Sequence, residues 1–201
     1  EDGGGIRIDP KPLADWIAKH CESWVENQIE YEVLKEWGIE SYICPSFLGD
    51  INQFEVSYKP SKNPKIYTSV SGDDFELYGW DKIPELARKN PDIEFHLYGN
   101  NKEWEYDNTL ENIFVHGRVS KEQMNEEIKE MQGALRLTEF DGASEILVKS
   151  ILWGQWPVSL LSYKYMIDIE DLGKLKNKQR PNFVGRSHYR RILNQFPWVK
   201  K

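Results

Sequence analysis

The segment Glu139-Phe140-Asp141-Gly142-Ala143-Ser144 sets an acid and a glycine directly before Ile146, Leu147, Ile151 and Leu152, apolar residues at helical spacing. An acid-glycine turn that opens a helix has two uses. Asp141 caps the helix, or the free amides and the positive end of the helix dipole receive an anion, with Asp141 facing the group attached to it. Three other turns share the glycine: Ser71-Gly72, Gly99-Asn100 and Gly117-Arg118. Each glycine either makes a turn or lets a phosphate or nucleoside approach the backbone closely, and four in succession favour a ligand. Arg118 offers a cation to that ligand or to solvent. Glu145 and Lys149 lie one helical turn apart, so they make an ordinary Glu-to-Lys pair or lend their charges to the same site.

Other chemistries find little support. His20, His96, His116 and His188 have no cysteine or acidic partner at metal-ligand spacing, so no metal is expected. His116 precedes the turn at Gly117 and either approaches a ligand or packs as a strand histidine. The chain has no Gly-x-Ser-x-Gly elbow, no Walker-type loop and no Gly-x-Gly-x-x-Gly fingerprint. Among the tryptophans, Trp16, Trp24 and Trp37 are expected in the core or at an interface with another domain. Trp153 and Trp156 either flank a sugar or pack.

The elements that must position these residues follow from periodicity. Trp16, Ile17, Cys21, Trp24, Val25, Val33, Leu34 and Trp37 recur at three- and four-residue steps up to Gly38, which fits one long helix or two short ones. Tyr42-Ile43-Cys44 reads as a short strand and residues 55–64, with two prolines, as a linker. From Lys65 strands and helices alternate, the pattern of parallel β-α units. Strands are expected at 66–70, 93–98, 113–116, 134–138 and 157–161. Helices are expected from Asp81 as N-cap to Asn90, from Ser120 to Gly133 and from Ser144 to Trp153. The second of these carries a capping box, Ser120 with Gln123, and a staple of Val119 with Met124. Tyr189, Ile192, Leu193 and Phe196 form a last amphipathic signal, ended by Pro197.

The 201 residues carry 26 basic and 33 acidic side chains, a net charge of −7 with the signs interspersed, which argues against binding of nucleic acid. No stretch approaches the roughly 18 apolar residues of a membrane span, and the start is unlike a signal peptide. Cys21 and Cys44, expected as small buried residues, suit a reducing compartment. These features predict a cytoplasmic location, with attachment to the inner face of a membrane possible only through other regions.

Taken together, the residues resemble the nucleotide-sugar-dependent glycosyltransferases of two-Rossmann-domain (GT-B) architecture, and within them the retaining family four enzymes. The resemblance covers roughly residues 30–165 and is to the C-terminal, donor-binding half. Its most specific part is Glu139 to Ser144 running on to Val148, then Gly154 and Pro157-Val158. Pro45, Asp50 and Phe54 are similar to the family's interdomain segment, Tyr78-Gly79 takes the place of its Lys-Gly pair, and Phe114 to Val119 resembles its turn around the nucleobase. The departures matter too. Where the family has two acids eight residues apart, this chain has Asp141 and Lys149, and an ammonium cannot accept ribose hydroxyls. The basic pair after the first strand is replaced by a stretch holding Asp73, Asp74, Glu76 and Tyr78.

The resemblance implies a Rossmann-like α/β domain over residues 62–165, preceded by a helical and linker region with a short strand (1–61) and followed by a helical tail (166–201). It implies metal-independent transfer of a sugar from a nucleotide-sugar to an unknown acceptor, with a preceding acceptor-binding domain. Asp141 would be the catalytic acid. Donor binding would fall to Gly72, Tyr78, Gly79, Gly99, Asn100, Gly142, Ala143, Ser144, Glu145 and Lys149, with Gly117, Arg118 and Val119 edging the base on the wall opposite Asp141. The alternative is a degenerate module of the same fold that binds a nucleotide-sugar or another protein without turnover.

Overall fold

The computed structural model describes residues 9–47, 49–99, 104–106 and 109–195. It opens with helix α1 (Lys11–His20), strand β1 (Ser23–Val25), helix α2 (Gln28–Glu36) and strand β2 (Ser41–Ile43). The apolar spacing before Gly38 thus resolves into two helices with a strand between them. Asn27 starts α2, its side-chain oxygen accepting the Glu30 amide at 2.9 Å. β1 and β2 pair in parallel as a separate two-stranded sheet. Leu13, Trp16, Trp24, Val33, Trp37 and Tyr42 remain exposed on this region, so its tryptophans are not core residues. Cys44 is buried but Cys21 is exposed, which corrects the expectation for the latter.

The second and larger sheet has strands β3 (Lys65–Ser69), β4 (Glu94–Tyr98), β5 (Ile113–Gly117), β6 (Gly133–Arg136), β7 (Val158–Ser159) and β8 (Ile167–Asp168). Their order is β5-β4-β3-β6-β7-β8 and every pairing is parallel. Between them run α3 (Ile83–Lys89), α4 (Lys121–Ile128) and α5 (Glu145–Leu152), and α6 (Phe183–Asn194) follows β8. Chain order doubles back at β3 and β6, the arrangement of a doubly wound Rossmann-like sheet. One face buries Tyr67, Tyr98 and Ala134 under α4, α5 and α6, joined by Phe47, Ile51 and Phe54 from the segment before β3. The other buries Ile66, Phe95, Leu97 and Leu135 under α3 and Trp80. Both faces of the central strands are covered, so their buried positions are mostly apolar, whereas edge strand β5 leaves Phe114 and Val115 exposed.

Several boundaries differ from the sequence reading. Asp81 lies inside a 3-10 turn, Trp80–Lys82, that precedes α3. Ser120 does cap α4 through the Gln123 amide, but the Gln123 side chain bonds Glu127 instead of returning to Ser120. Gly133 begins β6 instead of closing α4. A Cβ there would overlap the Trp156 carbonyl, so close strand packing accounts for the glycine. The region after 165 holds β8 and a long 3-10 stretch, Ile169–Asn177, as well as α6. Phe196 and Pro197 lie outside the described residues. No helix among the described residues is long and apolar enough to cross a membrane.

On the α4 side of the sheet, pairing of β4 with β5 joins two histidines that sequence spacing keeps apart. His96 Nδ1 lies 2.9 Å from His116 Nε2, and His96 Nε2 lies 3.2 Å from Glu94. Lys65 pairs with Glu94, Glu127 stands 4.0 Å from His116, and Tyr98 donates to Glu127 at 2.7 Å. Burial, the largest influence, holds both imidazoles below their ordinary value of 6.5, against the upward pull of Glu94 on His96 and Glu127 on His116. The folded chain therefore keeps them neutral while the unfolded chain protonates. Their contribution to stability is whole above about pH 6.5 and drains as the pH falls toward the depressed values. The urea midpoint is expected to be lower at pH 5.5 than at pH 7.5, and a His96→Gln/His116→Gln variant should narrow that difference. An unchanged gap would show that the imidazoles are not its source.

Candidate functional site

In open parallel sheets ligands settle beyond the carboxyl ends of the strands where the order reverses. Here that point lies between the ends of β3 (Ser69, then Ser71) and β6 (Arg136), and it opens into a hollow of about 550 Å³. Tyr78 and Asp141 stand on its wall, residues 143–146 at the start of α5 form another side, and Glu26 and Ser46 reach in from the N-terminal segment. A second, mostly apolar cavity of about 230 Å³ shares the rim of Glu26, Ala143 and Ser144 and runs back toward Tyr163, Met166 and Tyr189. The polar hollow is the one at the strand reversal.

Arg136 organises one wall. Its Nε donates to Asp141 Oδ2 at 2.6 Å, and its guanidinium carbon lies 4.7 Å from the centre of the Tyr78 ring. The Tyr78 hydroxyl is 2.8 Å from Ser71 Oγ. The side chains of Arg136 and Asp141 are each 16% exposed, so the pair is screened from water on most sides.

The corner at residues 141–143 is held from outside the sheet. The Asn27 side chain donates to the Asp141 carbonyl at 3.1 Å, and the Tyr163 hydroxyl lies 3.1 and 2.8 Å from the carbonyls of Asp141 and Gly142. Burial first, then the charge of Asp141, raises the Tyr163 phenol above its ordinary value, so it stays a hydrogen-bond donor. The Ala143 amide donates to Glu26 Oε2 at 2.7 Å, and a Cβ on Gly142 would overlap that carboxylate. Ser144 makes no side-chain cap, and the amides of Ser144, Glu145 and Ile146 have no hydrogen-bond partner among the described residues. An uncapped helix end with free amides is arranged to receive negative charge, and the Glu26 carboxylate already sits on the Ala143 amide just before it.

The structure brings Asp141, Gly142, Ala143, Ser144, Glu145 and Tyr78 to this point. Lys149 Nζ sits 2.7 Å from Glu145 Oε1, the ordinary helix pair. Gly79 lies against Leu137, and Gly99 lies against Val70 while its amide donates to the Gly117 carbonyl at 2.9 Å. Gly72 is exposed in the loop after β3, and Asn100 lies outside the described residues. Gly117, Arg118 and Val119 do not line the hollow, and Val119 packs on the core beside Met124. Ser69 and Ser71 at the end of β3 line the hollow in their stead. Trp153 packs on Phe54, and Trp156 donates to the Arg180 carbonyl, so both tryptophans have packing roles. No group of three or more His, Cys, Asp or Glu among the described residues is placed to hold a metal ion.

Sequence reasoning missed Glu26, Ser46, Ser69, Arg136 and Tyr163. Arg136 had a signal, a charge inside the apolar run Ala134-Leu135-Arg136-Leu137 at the exit of a strand. Glu26 and Tyr163 reach the site only through contacts distant in sequence.

No family model and no curated protein matches this chain by sequence. Solved structures do match it by shape. The lipopolysaccharide outer core galactosyltransferase WaaB aligns with a TM-score of 0.65 at 15% identity, over 90% of this chain and 60% of WaaB. Sucrose-phosphate synthase from Thermosynechococcus elongatus gives 0.63 at 11%, over 100% of this chain and 62% of its own. Anabaena HepE, solved with UDP and glucose, gives 0.58 at 11%, over 94% and 63%. The chain thus spans about three-fifths of the length of these proteins. With this order of strands and these neighbours, the chain has the fold of the C-terminal, Rossmann-like part of the two-domain GT-B glycosyltransferases.

Proposed function

We propose that the chain is the donor-binding part of a glycosyltransferase and takes a nucleotide-sugar in the hollow between β3 and β6. The observation that carries this reading is the start of α5, where three unpartnered amides open beside Asp141 at the strand reversal. The crystallised likeness of HepE with UDP and glucose is in keeping with it. As the glycosidic bond to the leaving diphosphate breaks, negative charge grows on the phosphate, and helix amides facing it favour that change over the ground state. In this proposal Asp141 and the amides of Ser144 to Ile146 face the sugar and phosphates, and no metal is required because the amides and a protein cation meet the charge. Retention of anomeric configuration, as in family four, belongs to the same proposal.

The acceptor would be bound by a second domain. The exposed apolar side chains Leu13 and Trp16 on α1, Val33 on α2, and Trp24 and Tyr42 on the two-stranded sheet support such a neighbour. Residues 62–165 with the helices around them form the donor unit, and residues 1–61 belong to the junction.

The test is thermal unfolding with a panel of UDP-, GDP- and ADP-sugars. A ligand at 100 times its Kd stabilises by about 2.7 kcal/mol, which for a chain of this size raises Tm by about 5–10 °C. One member of the panel is expected to do so. No shift with any of them at millimolar concentration would refute donor binding. Two observations favour a second reading, a binder without turnover: Lys149 is neutralised by Glu145, and the Glu26 carboxylate occupies the Ala143 amide. That reading expects a thermal shift with no sugar transferred by the longer protein.

A further inference from the structure

The loop after β3 carries Asp73, Asp74 and Glu76 but no lysine or arginine before Lys82, which pairs with Glu139. Among the described residues lining the hollow, Arg136 is the one cation. Leu135 and Leu137, its neighbours in sequence, are buried on the α3 side of the sheet, while Arg136 projects toward the reversal. Its guanidinium is engaged on one side only. Nε is taken by Asp141 and one face lies over Tyr78, but neither Nη atom has a hydrogen-bond partner among the described residues. Four of the five N–H donors of a planar fork are therefore without a protein acceptor. Such a fork matches paired oxygens, and phosphate is the ligand group that presents them with full negative charge.

We propose that Arg136, seated on Tyr78, is the residue that recognises the phosphates of a nucleoside diphosphate in this chain, and that Asp141 is its positioning partner. The proposal rests on the donor-binding reading and assigns the cation that reading needs. By taking Nε, Asp141 turns the Nη edge away from itself, and Tyr78 supplies a flat, neutral floor that leaves the charge for a ligand. A lysine at position 78 would have competed for the same space.

The experiment is calorimetric titration of the full 201-residue chain with UDP, GDP and ADP, the matching nucleosides, and inorganic pyrophosphate. The variants are Arg136→Gln and Arg136→Gln/Asp141→Asn. The double change removes both charges and leaves no carboxylate unpaired, so it controls for misfolding of the single variant. Wild type is expected to bind one nucleoside diphosphate at least about tenfold more tightly than its nucleoside, as charge-assisted hydrogen bonds require. Both variants should lose that margin while keeping the affinity for the nucleoside. A variant that kept the margin would overturn the role of Arg136 and leave donor binding standing. Binding of pyrophosphate through Arg136 with no binding of any nucleotide would keep the anion site and reject the donor reading. Wild type binding none of these probes would reject both.

Discussion

Gly79→Ala is expected to lower Tm by about 10 °C and to abolish any nucleotide-dependent stabilisation with it. Gly79 has φ +71° and begins the 3-10 turn before α3. For an alanine that conformation costs about 1–2 kcal/mol. The added Cβ would also stand 2.6 Å from the Leu137 carbonyl oxygen and overlap the Leu137 side chain. Relief would require the end of β6 to move, and overpacking of this kind costs about 1–3 kcal/mol more. The sum, about 2–5 kcal/mol, is a large part of the stability of a domain and converts to several degrees at this chain length. Because the displaced segment lies between Arg136 and Asp141, the hollow loses its shape in the same step. Gly38→Ala separates the two contributions. Gly38 has φ +77° but no atom within 4 Å of a Cβ position, so only the dihedral cost remains. Thermal unfolding of both variants decides the matter, and equal losses would show that the contact with Leu137 is not the cause.

Much of the scaffold is legible because its central strands are mostly apolar stretches bounded by turn residues, as at Ile66 to Val70 and at Ile93 to Tyr98, where Glu94 and His96 are the polar interruptions. Burial is legible where pairing is not. Leu137 and Thr138 are as buried as the strand before them, yet β6 ends at Arg136 since no partner continues the ladder. β1 is hidden for another reason: three residues between two helices share the helices' apolar spacing. The acid-glycine corner is legible as a turn before a helix, but its surroundings are not. His96 and His116 are neighbours only through the register of β4 and β5. Arg136 is visible as a charge out of place, and its meaning depends on β3 lying beside β6. Glu26 is 117 positions from the amide it binds, and no local pattern near Glu26 or Ala143 announces that contact.

That contact sets the electrostatics of the hollow. Its lining holds three carboxylates, Glu26, Asp141 and Glu145, against the single guanidinium of Arg136. Asp141 is neutralised by Arg136 and Glu145 by Lys149, which leaves Glu26 as the charge that a phosphate entering beside α5 must face or displace. A unit charge at about 6 Å from another, at an effective dielectric of about 20–40, opposes it by about 1.4–2.8 kcal/mol. Glu26→Gln is therefore expected to tighten nucleoside diphosphate binding between tenfold and a hundredfold. Glutamine keeps an oxygen for the Ala143 amide and preserves the shape of the side chain, so the N-terminal segment stays docked and only the charge is lost. Titrations of wild type and variant with UDP, GDP and ADP measure the difference, with the nucleosides as uncharged references that should not respond. The gain should shrink as ionic strength rises, because part of the hollow is open to screening ions. If Glu26→Gln instead weakened binding, the carboxylate would be an acceptor for ligand hydroxyls, and the group seated at the start of α5 would be the sugar in place of its phosphate.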